Sequence, residues 1–219
     1  MRGDDGYEIR RGVIPLAKIE NLRAAADDMA AAAGSACVRN IRQRSDIFAR
    51  LAVSKSLLDL LPAGMTPVRS ILFDKTPGEN WPVAWHQDLT IAVSDSSQTP
   101  GYGPCTLKDG VHHVHAPAEL LERMITLRLH LDETPAANGA LIVAPGSHRF
   151  GKIPADSIPE QVRRAVICEC HPGDVLLMSP LLLHSSKRSL SPSRRRVVHF
   201  EYAFPGDLPA GLAWHESAA

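Results

Sequence analysis

The chain has 219 residues, 44% of them hydrophobic and 22% charged, enough for one large domain whose core needs no disulfides. Its 24 Lys and Arg balance 24 Asp and Glu, which excludes the basic footprint of a nucleic-acid partner. No apolar run approaches the ~18 residues of a membrane span, and the charged stretch from Met1 to Pro15 does not read as a secretion signal. The four cysteines (Cys37, Cys105, Cys168, Cys170) are too scattered for a disulfide framework. These features leave a cytoplasmic globular enzyme or binding domain. A monomer or a small homo-oligomer is expected, with neither nucleic acid nor membrane as a partner.

The first third of the chain reads as helical. Ala17 to Ala33 is rich in strong helix formers and Gly34 follows as a stop. Shorter helices are expected over Ser45–Arg50 and Ser54–Leu61, the latter closed by Pro62. From Thr66 the texture changes to short β-type runs separated by Gly, Pro, Asn and Asp. Strands are predicted at Val68–Asp74, Ala84–Val93, Met124–Asp132, Ala140–Ala144, Val166–Cys170, Asp174–Met178, Leu181–Ser185 and Arg196–Phe204. One helical insertion is expected over Ser157–Ala165. Short strands at regular spacing point to a β-sandwich or barrel. Residues 94–119 show little periodicity. A loop of that length inside a compact domain is usually functional, so it is read as an active-site lid.

In Trp85-His86-Gln87-Asp88, a strand would project His86 and Asp88 from one face, because side chains alternate. Alone this H-x-D is weak, since an imidazole beside an acid is common. The apolar stretch Gly173 to Leu183 then ends in His184, which can bring a third donor from a distant part of the chain. Two histidines and a carboxylate make the facial triad that leaves open positions on Fe(II). Eleven residues beyond His184 lies Arg195, inside Arg194-Arg195-Arg196. A guanidinium there can clamp a carboxylate with two parallel hydrogen bonds. His112, His113 and His115 lie in the 94–119 segment and suit substrate contact better than a second metal site. Cys168 and Cys170 have no CxxC partner to build a zinc site and read as core thiols.

With these motifs in order, the chain resembles the phytanoyl-CoA dioxygenase family of Fe(II)/2-oxoglutarate-dependent oxygenases. The resemblance rests on His86-Gln87-Asp88, Asn138-Gly139-Ala140-Leu141, Pro145-Gly146-Ser147-His148, and Leu183-His184 followed by Arg195-Arg196-Val197-Val198. It spans about residues 66–205. It implies a mainly β fold, a double-stranded β-helix (jelly-roll) core over 66–205. Residues 1–65 form a mostly helical part packed on that core, all in one oxygenase domain. It further implies His86, Asp88 and His184 as iron ligands, Arg195 as anchor of the distal carboxylate of 2-oxoglutarate, and O₂ as the other co-substrate. Gln87 matches the middle of the ligand motif and is expected to line the co-substrate pocket.

Thr126 and Arg128 are candidates to help hold 2-oxoglutarate, with Arg128 alternatively facing a substrate anion. Lys75 is a further candidate pocket cation. Tyr102, Lys108, His112, His113 and His115 are the expected substrate contacts. Related halogenases replace the carboxylate ligand by a small residue. Asp88 is retained here, which makes hydroxylation of a small molecule the expected reaction, with release of succinate and CO₂. A cupin-like isomerase or epimerase independent of 2-oxoglutarate, and a non-catalytic ligand-binding barrel, are the alternatives.

Overall fold

A computed structural model describes residues 4–95, 99–190 and 193–216. The chain begins with β1 (Tyr7–Arg10), α1 (Leu16–Ala33) and β2 (Cys37–Arg39), followed by α2 (Ile41–Arg44), α3 (Asp46–Ala52) and α4 (Lys55–Leu58). The β-rich part contains β3 (Thr66–Lys75), β4 (Val83–His86), β5 (Thr90–Val93), β6 (Cys105–Lys108) and β7 (Val111–His115). Next come α5 (Ala118–Arg123), β8 (Ile125–His130), β9 (Leu141–Val143), α6 (Ile158–Gln161) and β10 (Val166–Cys168). The last elements are β11 (Val175–Met178), β12 (His184–Ser186) and β13 (Arg195–Ala203).

Three antiparallel sheets result. The major sheet has the order β1-β11-β8-β13-β3-β2, the minor sheet β10-β9-β12-β4, and a third sheet β5-β7-β6. Alternation assigns each face of the major sheet a different task. Leu72, Leu127, Leu129, Val175, Leu177, Val198, Phe200 and Tyr202 face outward and pack under the helices. There α1 presents Ile19, Leu22, Ala26 and Met29, a stripe at helical spacing, and α3 adds Phe48. Helix α1 stops at Gly34, whose left-handed φ of 58° lets its N–H reach the carbonyls of Ala30 and Ala31.

The opposite face of the major sheet meets the minor sheet. Leu176 and Met178 from β11 pack there with Leu141, Val143 and Leu182. Two facing antiparallel sheets with helices on the outer side are the expected mainly β jelly roll. No helix among the described residues is long and apolar enough to cross a membrane.

The outer face carries one ionic network that bears on the site. Arg194 bonds Asp74 at 2.7 Å and 2.5 Å and pairs with Asp27 of α1 at 2.8 Å. Arg196 bonds Asp132 at 2.9 Å and 2.7 Å and Asp27 at 2.7 Å. Arg23 of α1 joins the same Asp132 at 3.1 Å. Helix α1 is thereby tied to the start of β13 on both sides of Arg195.

Several predicted boundaries are corrected. The strand expected over Ala84–Val93 is two strands, because Gln87 bonds its side chain to three backbone groups and Asp88 gives its N–H to the Pro180 carbonyl at 2.9 Å. The run Leu181–Leu183 is a turn, closed by the Leu182 N–H on Ser179, so His184 opens a strand rather than ending one. Residues 94–119 are not a structureless loop where described. They contain the β6–β7 hairpin, turned at Asp109 and Gly110 with φ of 50° and 77°. Its first strand is exposed along its whole length, which leaves no hydrophobic alternation to read. Residues 96–98 of that segment lie outside the described residues. Strands β1 and β2 also arise where only helix or loop was expected.

Candidate active site

Strands β4 and β12 place His86 directly opposite His184, with ring centroids 4.2 Å apart. Asp88 follows on the turn held by Gln87. Its oxygens lie 3.8 Å from His86 Nε2 and 3.6 Å from His184 Nε2, and all three donor atoms fall within 4.8 Å of one another. Backbone carbonyls fix the tautomers. His86 Nδ1–H donates to Ala84 and His184 Nδ1–H to Leu182, each at 2.9 Å. A carbonyl only accepts, so each Nε2 keeps its lone pair for the space beside Asp88. Burial pushes His184 down to about 4, opposed by Asp88, which keeps the ring neutral. Burial works to raise the Asp88 carboxyl, but His184, His199, His86 and Arg69 outweigh it and hold the carboxyl well below its usual range.

Asp88 Oδ2 is buried with no hydrogen-bond partner among the described residues. An ionised oxygen in that state is costly, and a divalent cation would satisfy it. Two imidazole nitrogens and one carboxylate are the donor set that suits iron with coordination positions left open.

The same cavity holds a second unbalanced group. Arg195 and Lys75 are register partners on β13 and β3 and point inward, only 4% and 3% exposed. Lys75 Nζ donates to the Trp81 carbonyl at 2.5 Å and to Ser186 Oγ at 3.2 Å. The Arg195 guanidinium donates to the Gly139 carbonyl, and its Nε has no partner among the described residues. Burial, then Arg195 and Arg128, push Lys75 down to about 7; burial, then Arg128, push Arg195 down to about 10. Two buried cations without a carboxylate between them are unfavourable. A dicarboxylate would correct this.

Arg128 lines the cavity from β8, its guanidinium carbon 5.3 Å from the centre of the Phe73 ring. It donates to His199 Nδ1 at 3.1 Å. Arginine cannot accept, so His199 carries its proton on Nε2, 3.3 Å from Glu201 Oε1. Arg69 meets the same carboxylate oxygen at 3.0 Å. Asp88, His199 and Glu201 also cluster within 4.8 Å, but two guanidiniums already hold His199 and Glu201.

Other expected site residues are placed differently. Gln87 lies outside the cavity: its Nε2 donates to Gly151 and Leu181 and its Oε1 accepts from Ile153. It pegs the ligand turn and does not line a pocket. Thr126 is fully buried on the inward face of β8, its Oγ1 without a partner among the described residues, and is not among the lining residues. Tyr102, Lys108, His112, His113 and His115 are likewise absent from the lining. His112 lies 3.7 Å from Cys105 Sγ, and His113 is buried against the Val111 carbonyl. The sequence reading missed Arg39, Arg69, His199 and Glu201. Three of the four carried a signal: Arg69 shares strand parity with Lys75, as His199 and Glu201 do with Arg195. A larger groove of about 990 Å³ between α1 and α3 holds none of the expected site residues.

The fold is a jelly roll whose cavity brings together two histidines and a carboxylate that could hold a metal ion, and a buried basic pair. The chain belongs to the phytanoyl-CoA dioxygenase (PhyH) family, whose model matches residues 4–197. No curated protein matches it. Among solved structures, the epimerase SnoN in complex with Fe³⁺, α-ketoglutarate and nogalamycin RO is similar at a TM-score of 0.73 and 18% identity, over 98% of this chain and 86% of that one. EctD from S. alaskensis, with 2-oxoglutarate and 5-hydroxyectoine, gives 0.73 and 22%, over 93% and 74%. The α-ketoglutarate-dependent carbocyclase SnoK from nogalamycin biosynthesis gives 0.71 and 18%, over 92% and 81%.

Proposed function

We propose that the chain is a non-haem Fe(II)/2-oxoglutarate-dependent dioxygenase that hydroxylates a small molecule. The carrying observation is that His86, Asp88 and His184 face the same cavity as the unneutralised Lys75–Arg195 pair. Family membership supports the reading, as do similar folds solved with α-ketoglutarate or 2-oxoglutarate. An intact carboxylate at position 88 favours hydroxylation over halogenation. The four free thiols fit a reducing compartment such as the cytoplasm.

Iron, 2-oxoglutarate and O₂ together would supply oxidative decarboxylation to succinate and CO₂ and the oxidising power for hydroxylation. His86 and His184 offer fixed lone pairs, and Asp88 supplies the negative charge that favours a divalent ion. Lys75 and Arg195 neutralise and orient the distal carboxylate. Phe73, Trp81 and Val83 wall the cavity and limit water.

An anaerobic titration tests this. Fe(II) followed by 2-oxoglutarate is expected to produce a visible charge-transfer band that requires both. Tight metal binding without the band would instead favour an isomerase that does not use 2-oxoglutarate.

Lys75 adds a pH dependence. A dianion beside it favours its charged form, so binding takes up a proton wherever the free amine is neutral. Affinity for 2-oxoglutarate is therefore expected to be flat below about pH 7 and to fall above it, by up to about tenfold per pH unit. Lys75→Met should flatten that slope; a slope unchanged in the variant would assign it to another group.

A further inference from the structure

The inward face of β3 carries Arg69, Ile71, Phe73 and Lys75 in alternation, all lining the cavity. Six residues of strand rise about 20 Å, so Arg69 and Lys75 mark opposite ends. Lys75 and Arg195 occupy one end. At the other, Arg39 of β2 stands beside Ile71 by register and also lines the cavity. The three candidate metal ligands line the same cavity, and the Asp88 carboxylate lies within 4.8 Å of that of Glu201, the register partner of Arg69.

At the Arg39 end each guanidinium has one carboxylate partner, and that of Arg39 lies outside the cavity lining. Asp88 faces the metal position, and Glu201 already accepts from Arg69. Arg39 finds its anion outside the cavity, in Asp109 at the tip of the β6–β7 hairpin, at 2.5 Å. Asp109 is half exposed, and an ion pair with so exposed a partner contributes little and exchanges readily. The Nε atoms of Arg39 and Arg69 are both buried with no hydrogen-bond partner among the described residues. Ile71 and Phe73 supply apolar wall between this basic end and the other one.

We infer that the primary substrate is an organic acid whose carboxylate is taken by Arg39 and Arg69, displacing Asp109, with its hydrocarbon part laid along Ile71 and Phe73 towards His86, Asp88 and His184. The inference rests on the oxygenase reading for its reaction but not for its binding site. It makes the hairpin tip a stand-in anion that leaves when substrate arrives.

The test is calorimetric titration of hexanoate and benzoate, and of hexanamide and benzamide, into the protein. It is run on metal-free protein and on anaerobic protein loaded with Fe(II) and 2-oxoglutarate. The acids should bind and the amides should bind at least about tenfold more weakly, since only the acids accept charge-assisted hydrogen bonds. Arg39→Gln should weaken the acids by about tenfold or more without changing 2-oxoglutarate affinity. Asp109→Asn keeps a residue that tolerates the left-handed φ at that turn. It removes the internal competitor, so it should tighten the acids several-fold. A merely structural Arg39–Asp109 pair would move both variants the same way.

Equal binding of acids and amides, no binding of either acid, or displacement of 2-oxoglutarate by the acids would overturn the inference. Acid binding with these opposite shifts, in a protein that gives no charge-transfer band, would leave the acid site standing and remove the oxygenase reading.

Discussion

His184→Ala is expected to abolish the Fe(II)- and 2-oxoglutarate-dependent absorption band and to lower 2-oxoglutarate consumption by at least about 100-fold. The ring is buried, neutral, and aimed by the Leu182 carbonyl, so its Nε2 is pre-set as a donor. Removing it leaves Asp88 Oδ2 without its nearest imidazole and leaves any cation with two protein donors. Asp88→Ala should have the same effect through loss of the only carboxylate in the set. Metal binding measured by calorimetry, with circular dichroism to establish the fold, separates a lost site from a lost structure. A folded His184→Ala protein that keeps full turnover would show that iron is held elsewhere.

Arg195→Met is expected to weaken 2-oxoglutarate binding by about 2–4 kcal/mol, roughly 30- to 1,000-fold, because it strips a buried carboxylate of its guanidinium. The same change should leave the unliganded protein as stable as before, or slightly more so. Arg195 is a buried charge whose cationic neighbours in the cavity are Lys75 and Arg128, with the Gly139 carbonyl as its acceptor. Methionine keeps the stem's volume and removes that repulsion. Thermal unfolding with and without 2-oxoglutarate reads both effects: the co-substrate should raise the midpoint of the wild-type protein far more than that of the variant. Equal stabilisation of both proteins would move the anchor away from Arg195.

Much of the arrangement was legible because alternation along strands is a strict rule. In Arg194-Arg195-Arg196 it sends the middle residue inward and its neighbours outward, where Asp74, Asp132 and Asp27 hold them. The same rule, extended two residues back along β3 and four and six residues on along β13, leads to Phe73, His199 and Glu201. What the sequence hid are positions set by tertiary bonds. Gln87 turns away from the cavity because three backbone groups need its amide, and nothing local marks them. Arg39 enters the site through a three-residue strand embedded among helices, too short for periodicity to register. The β6–β7 hairpin is solvent-exposed, so no buried face marks its strands.

Arg194 and Arg196 fasten the backbone on both sides of Arg195 to α1 and to Asp74 and Asp132. The start of β13 is therefore braced from outside the cavity by charge-assisted hydrogen bonds. If Arg195 holds 2-oxoglutarate as proposed, little ordering entropy is left for it to overcome, and its affinity would reflect charge matching inside the barrel more than loop closure. A change in Asp74 or Asp132, which hold those arginines from outside the cavity lining, would loosen that grip and weaken capture of the co-substrate with every lining residue unchanged.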